Sequence, residues 1–145
     1  MMQNLKVRIA NNSDIKTITK YYHKLYKGNE NQEFYKSKII LMRFRSGQFI
    51  LVADVDRSIL GYIWVIWYEH IKHKGIGYIE ELYVHEKYRK MHIGVRLINE
   101  AKKLLRARDI NTIYFAVGRH MTESQNFYET IGARKSDEIW FEMDI

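Results

Sequence analysis

The 145-residue chain has no cysteine, which excludes disulfides, thiolate zinc sites and a cysteine nucleophile. A reduced, cytoplasmic setting is the expectation. Proline is absent too, so no ring fixes φ or ends a helix, and element boundaries fall to Gly, Asn, Asp and Ser. No apolar run reaches the roughly 20 residues a membrane-spanning helix needs, and Met1 to Ala10 holds no signal-peptide core. No membrane partner is expected. His23, His70, His73, His85, His92 and His120 lack a helical ligand spacing and an accompanying acidic cluster, so no metal site is expected. Gly75-x-Gly77 precedes a strand rather than a helix and is no dinucleotide fingerprint.

What is present is a hydrophobic content of 46%, enough for one domain spanning 1–145 with a real core. Lys and Arg number 24 against 17 Asp and Glu, a net charge of +7. Such a surface attracts anions: nucleotide-like cofactors, acidic proteins or nucleic acid. A solvated basic face explains it equally well. The aromatic-basic motifs of RNA readers are missing, so nucleic acid is not expected as a partner.

Leu5 to Ile9 alternates as a first strand, and Asn11-Asn12-Ser13-Asp14 supplies a turn and helix cap. Ile18, Tyr22 and Leu25 carry a helix from Ile15 that fades near Gly28. A polar linker, Asn29 to Gln32, leads to a second helix over Phe34 to Phe44, with Gly47 as its stop. Gln48 to Val55 and Ile59 to Tyr68 form a hairpin about Asp56-Arg57-Ser58; both strands are apolar at nearly every position, so both sheet faces should be covered. His70 to Gly75 reads as a loop. Further on, Thr112 to Val117 is a short buried strand, and Thr122-x-x-Gln125 offers a capping box to a helix holding Phe127, Tyr128 and Ile131 that ends at Gly132. Ile139 to Ile145 alternates as a closing strand with one buried face. The order is a mixed α/β layout.

The chemistry concentrates between Gly77 and Leu97. Tyr78 to Val84 is an apolar, aromatic strand broken by Glu80 and Glu81, which point to opposite faces unless a bulge reorients them. After His85 to Tyr88, the cations Arg89 and Lys90, with His92, meet Gly94 where a helix begins. Ile93, Leu97, Ile98, Ala101, Leu104 and Leu105 form its apolar stripe. A helix start carries free N–H groups and partial positive charge, so an anion fits there.

Arg89-x-x-His92-x-Gly94 resembles the Arg/Gln-x-x-Gly-x-Gly/Ala turn of the GNAT superfamily of N-acetyltransferases. With Tyr78-Ile79-Glu80-Glu81-Leu82-Tyr83-Val84 before it, and Asn126-Phe127-Tyr128-Glu129 and Gly132-Ala133 after it, the chain is most similar to the diamine (spermidine/spermine) and thialysine branch. The resemblance implies a central mixed, mostly antiparallel sheet flanked by helices, and a homodimer. It implies acetyl-CoA as co-substrate and a small primary amine, polyamine or thialysine-like, as acceptor. The backbone of Leu82, Tyr83 and Val84 would hold the pantetheine arm. Lys90, Met91, His92, Ile93, Gly94 and Val95 would bind the pyrophosphate, with Arg89 beside them. Glu80 would take the amine proton, and Tyr128, a phenol of pKa about 10, would protonate the departing sulfur.

Two positions depart from the family pattern. His92 stands at the first glycine, where it either crowds the site or lends another N–H, and Met121 stands where asparagine is common, seven residues before the tyrosine. Taken alone, Glu80 also reads as one half of a strand-edge ion pair and Tyr128 as a ring packed in the core. A protein or peptide acceptor, or a non-catalytic module that binds CoA or an anionic partner, are the alternative functions.

Overall fold

β-Branched and aromatic residues dominate the chain from Gln48 to Val84, and they build a meander. In this computed structural model, which describes residues 2, 4–26, 47–70 and 73–145, β1 (Lys6–Ile9), β2 (Gln48–Val55), β3 (Ser58–His70) and β4 (His73–Val84) pair antiparallel in sequence order. β5 (Ile113–Tyr114) then joins β4 in parallel, giving a five-stranded mixed sheet of order β1-β2-β3-β4-β5. The expected linker at 29–32 and the second helix at 34–44 lie outside the described residues.

The β2–β3 turn is tighter than the sequence suggested. Asp56 and Arg57 take φ of 48° and 69°, the left-handed pair of a type I′ turn whose twist suits a hairpin, and the Arg57 N–H donates to Asp54 Oδ1 at 2.8 Å. Ser58 therefore opens β3. The expected loop from His70 to Gly75 is mostly strand: His70 pairs with His73, and β4 runs on through both glycines. Glycine has weak strand propensity, but the β3 ladder overrides it. At Gly77 a Cβ would lie 2.8 Å from Leu105 Cδ1, so a side chain there would force that buried leucine to shift.

Both sheet faces are covered. On one, Ile15 and Ile18 of α1 (Ile15–Tyr26) join a buried cluster with Ile50, Val52, Tyr62, Trp64 and Tyr83. Leu25 does not belong to this stripe; it is exposed, and the half-buried Tyr21 and Tyr22 close the helix face instead. On the other face, α2 (Ile93–Arg106) buries Ile93, Leu97, Ile98, Ala101 and Leu105 against β2, β3 and β4. Leu104 is half-buried at the margin.

One polar cluster pins the start of the chain to the hairpin. Asp14, 4% exposed, takes both Arg8 terminal nitrogens at 2.7 and 2.9 Å and the Asn11 N–H at 2.8 Å, while Arg8 Nε reaches Asp54 at 2.8 Å. The Asp14 hydrogen bond is the main reason the guanidinium is held even more firmly protonated than usual.

The chain forms two compact units, Met1–Phe115 and Ala116–Ile145. The strand expected at Thr112 to Val117 is shortened to Ile113–Tyr114 and half-buried, because only Gly77 and Tyr78 of β4 pair with it. In the second unit, α3 (Thr122–Thr130) starts after Met121 with no side-chain cap. The expected capping box is absent because Thr122 is already helical; Gln125 instead donates to the Gly118 and Arg119 carbonyls at 2.9 and 3.1 Å. Gly132, at φ +92°, closes the helix, with the Ala133 N–H on the Tyr128 carbonyl at 3.0 Å. The expected closing strand over Ile139 to Ile145 is not formed: among the described residues these take no strand conformation, and their large apolar side chains are exposed. Alternation supplies propensity, but a strand also needs an edge.

Candidate active site

The site grows from an irregularity in β4. Trp64 of β3 lies opposite Glu81 and Val65 lies opposite Ile79, so Glu80 is one residue too many: a β-bulge. The flanking Ile79 and Glu81 are both buried, Glu81 at 6% exposure, and they face opposite sides of the sheet, whereas Glu80 is exposed. The adjacent carboxylates are thus separated by environment.

β5 pairs with β4 only ahead of the bulge. From Ile79 to Val84, β4 has a strand neighbour on the β3 side alone among the described residues. The His85 N–H donates to the Leu60 carbonyl at 2.8 Å, which fixes the alternation: the Tyr83 amide turns to β3, and the Leu82 and Val84 amides turn into the gap. Arg89 Nε donates to the Val84 carbonyl at 3.2 Å, so the guanidinium is anchored at the mouth of that gap.

The turn that follows is built from left-handed residues. Lys90 and His92 take φ of 61° and 59°, and α2 begins directly after His92. Its first internal hydrogen bond runs from the Arg96 N–H to the His92 carbonyl at 3.0 Å, so the N–H groups of Ile93, Gly94 and Val95 precede the helical ladder and project from its end. The His92 ring is exposed and makes no capping hydrogen bond, which leaves those donors available. His92 thus keeps the backbone shape for which glycine is the usual choice. Arg89, Lys90 and Met91 are exposed beside it. Cations, a helix N-terminus and open amides in a row fit a pyrophosphate followed by an extended amide-bearing arm.

An aromatic relay joins this turn to α1. Tyr62 and Tyr83 ring centroids lie 6.0 Å apart, Tyr83 and Tyr21 4.7 Å, Tyr21 and His85 5.7 Å, and His85 and Tyr88 5.6 Å. The Tyr21 hydroxyl donates to the Ile59 carbonyl at 2.7 Å, and burial raises its pKa. Lys24 and Glu86 pair at 2.8 Å, each holding the other charged: the lysine is raised, the carboxyl lowered. The sequence reading missed this connection. Its signal was the period of two at Tyr83 and His85, together with Tyr21 three residues beyond Ile18 on the inner face of the helix.

In the Ala116–Ile145 unit, Tyr128 lies on α3 with its ring edge-on to Phe127 at 5.2 Å. Burial pushes its phenol up to about 12. Met121 is exposed at the N-cap of the same helix.

A strand edge left open past a bulge, leading to a cation-flanked helix N-terminus, suits a carrier that bears a pyrophosphate and an extended amide arm. The chain matches the acetyltransferase (GNAT) family over residues 15–133 and belongs to that family. It is an acetyl-CoA-dependent N-acetyltransferase. An uncharacterised N-acetyltransferase of Archaeoglobus fulgidus is 24% identical over 142 residues, covering 92% of this chain and 95% of that protein. Among solved structures, AAC(6')-Iy bound to the bisubstrate analogue CoA-S-monomethyl-acetylneamine superposes with a TM-score of 0.87 at 12% identity, covering 99% of both chains. Ribosomal-protein-alanine N-acetyltransferase from Brucella melitensis biovar Abortus 2308 gives 0.82 at 17% identity, over 97% of this chain and 99% of that one. At these identities the two structures show the shared fold.

Proposed function

We propose that the protein passes the acetyl group of acetyl-CoA directly to a small primary amine of the polyamine or thialysine type, working in the cytoplasm as a homodimer. The observation that carries this reading is the exposed Glu80 carboxylate at the bulge where β4 loses its second neighbour. An ammonium cannot attack a thioester, so the amine must lose a proton, and Glu80 receives it directly or through water. The Leu82 and Val84 amides hold the pantetheine arm, and a donor from this edge polarises the thioester carbonyl. The Tyr83 amide is turned to β3, and its buried ring packs between Tyr21 and Tyr62 behind the edge. The Ile93, Gly94 and Val95 N–H groups, with Arg89 and Lys90, take the pyrophosphate.

Tyr128 supplies the proton for the departing sulfur. With its phenol pushed up to about 12, it stays protonated throughout the neutral and mildly alkaline range. No covalent acyl-enzyme on sulfur is possible in a chain without cysteine. We read the two compact units as one catalytic domain, supported by the single family match that runs from residue 15 to 133 across both.

The test is a calorimetric titration with acetyl-CoA, followed by thiol release on adding spermidine, thialysine, lysine, an aminoglycoside or a short peptide. Binding with release for spermidine or thialysine is expected. Release only for the peptide reassigns the acceptor to proteins; binding without release for any of them leaves a CoA-binding module.

A further inference from the structure

We propose that Tyr21 and Lys24 of α1 are positioning residues for acetyl-CoA: they hold the turn from His85 to Arg89, and so set where the Arg89 guanidinium meets the pyrophosphate. The inference rests on the reading of residues 89–95 as the pyrophosphate site and deepens it. By itself the turn is slight. Glu86 to Tyr88 make a single helical turn, closed by the Tyr88 N–H on the His85 carbonyl at 2.8 Å and the Arg89 N–H on the Glu86 carbonyl at 3.3 Å. A turn of this length does not hold its own shape. Yet it fixes where Arg89 leaves the strand and where the left-handed Lys90 begins the approach to α2.

Support comes from α1, at two positions three residues apart and therefore on one helix face. The Tyr21 ring meets Tyr83 at 4.7 Å and His85 at 5.7 Å. Its hydroxyl donates to the Ile59 carbonyl at 2.7 Å, and the neighbouring Leu60 carbonyl takes the His85 N–H at 2.8 Å. Ring and turn are thus tied to adjacent peptide groups of β3. Lys24 Nζ holds Glu86 Oε1 at 2.8 Å, and the carbonyl of the same glutamate accepts the Arg89 N–H. Glu86 therefore passes the hold of α1 to the backbone of Arg89. The ion pair is 54% and 62% exposed on its two sides, so it adds little to overall stability and its effect falls on the turn. A carboxylate three residues ahead of Arg89 would by itself repel an incoming pyrophosphate, and its use as a tether gives that charge a purpose.

Glu86→Ala separates this role from simple electrostatics: removing a negative charge should tighten acetyl-CoA if charge alone matters, whereas loss of the tether should weaken it. Backbone amide signals of the full chain follow titrations with acetyl-CoA and with S-acetylpantetheine, which has the thioester arm and no pyrophosphate. Glu86→Ala, Lys24→Met and Tyr21→Leu should each weaken acetyl-CoA about threefold and leave S-acetylpantetheine unchanged. Glu86→Gln, equally neutral but still able to accept from Lys24, should recover part of the loss, and Glu86→Ala should add nothing in an Arg89→Ala background. Should Tyr21→Leu fail to fold, the surface variants Glu86→Ala and Lys24→Met decide. Unchanged or tighter acetyl-CoA binding in Glu86→Ala overturns the proposal, as does an equal loss for both ligands or a further loss on top of Arg89→Ala. If Arg89→Ala itself leaves acetyl-CoA affinity unchanged, the pyrophosphate reading falls and takes the proposal with it; an effective Arg89→Ala beside a silent Glu86→Ala overturns the tether alone.

Discussion

Between His73 and Tyr78, β4 lies against β3 on one side and, at Gly77 and Tyr78, against β5 on the other; between Ile79 and Val84 it keeps β3 alone. The same neighbouring strand supports both stretches. What separates them is one inserted residue, Glu80. On its second side β4 meets β5 only at Gly77 and Tyr78, and past the bulge that side has no strand neighbour among the described residues. That open edge is where we propose that the carrier's arm lies, and the bulge is where it begins.

The strongest way to erase this difference is to delete Glu80. A regular ladder lets β5 follow β4 further, so acetyl-CoA should give no measurable heat while the fold persists. Glu80→Ala keeps the extra residue: affinity should stay within about threefold, and turnover should fall by about 10²–10³-fold. Equal affinity loss in both variants would mean that the bulge is not what opens the site.

Tyr128→Phe should lower turnover by about 10²–10⁴-fold with unchanged acetyl-CoA affinity. In the wild type, the rate should hold to pH 10 rather than fall near 8 or 9, because the acid is lost only near its raised pKa of about 12. The same shift affects stability. The unfolded phenol ionises near 10, so the contribution of Tyr128 is complete below that pH and is lost as pH rises toward 12, an effect of about 2 kcal/mol that Tyr128→Phe should remove. Denaturant titrations of both proteins between pH 9 and 12 measure it.

Smaller effects sharpen the picture at the mouth of the gap. Arg89→Ala removes the guanidinium on the Val84 carbonyl and one cation from the pyrophosphate site, and should weaken acetyl-CoA about tenfold by calorimetry, near 1.4 kcal/mol. His92→Gly should act on stability instead. Relief of a left-handed side chain should raise stability by about 1 kcal/mol with at most a threefold change in affinity, read from paired melting curves and titrations.

Much of this was legible in the residues, and the parts that were not share a cause. The hairpin, the amphipathic α2 and the cationic turn ahead of it follow from periodicity and composition, which are local. The Glu80 bulge is set by the register of β3 against β4; from the sequence, the adjacent carboxylates only raised the question of which face each takes. Lys90 is not a residue that announces left-handed backbone, and the two-residue length of β5 depends on where β4 diverges. For Ile139 to Ile145, alternation indicated a strand without naming its neighbour, and the capping box expected at Thr122 is lost because the helix takes Met121 as its N-cap. His70 to Gly75 read as a loop because glycine propensity speaks before long-range pairing does.

The most direct test of the central claim is a titration of acetyl-CoA followed residue by residue through backbone amide NMR signals. The account predicts that the Leu82, Val84, Ile93, Gly94 and Val95 amides move together and gain protection, while those from Ile76 to Tyr78 and throughout β1 stay still. Movement spread over β1 and β2, with the Leu82 and Val84 signals unchanged, would contradict it.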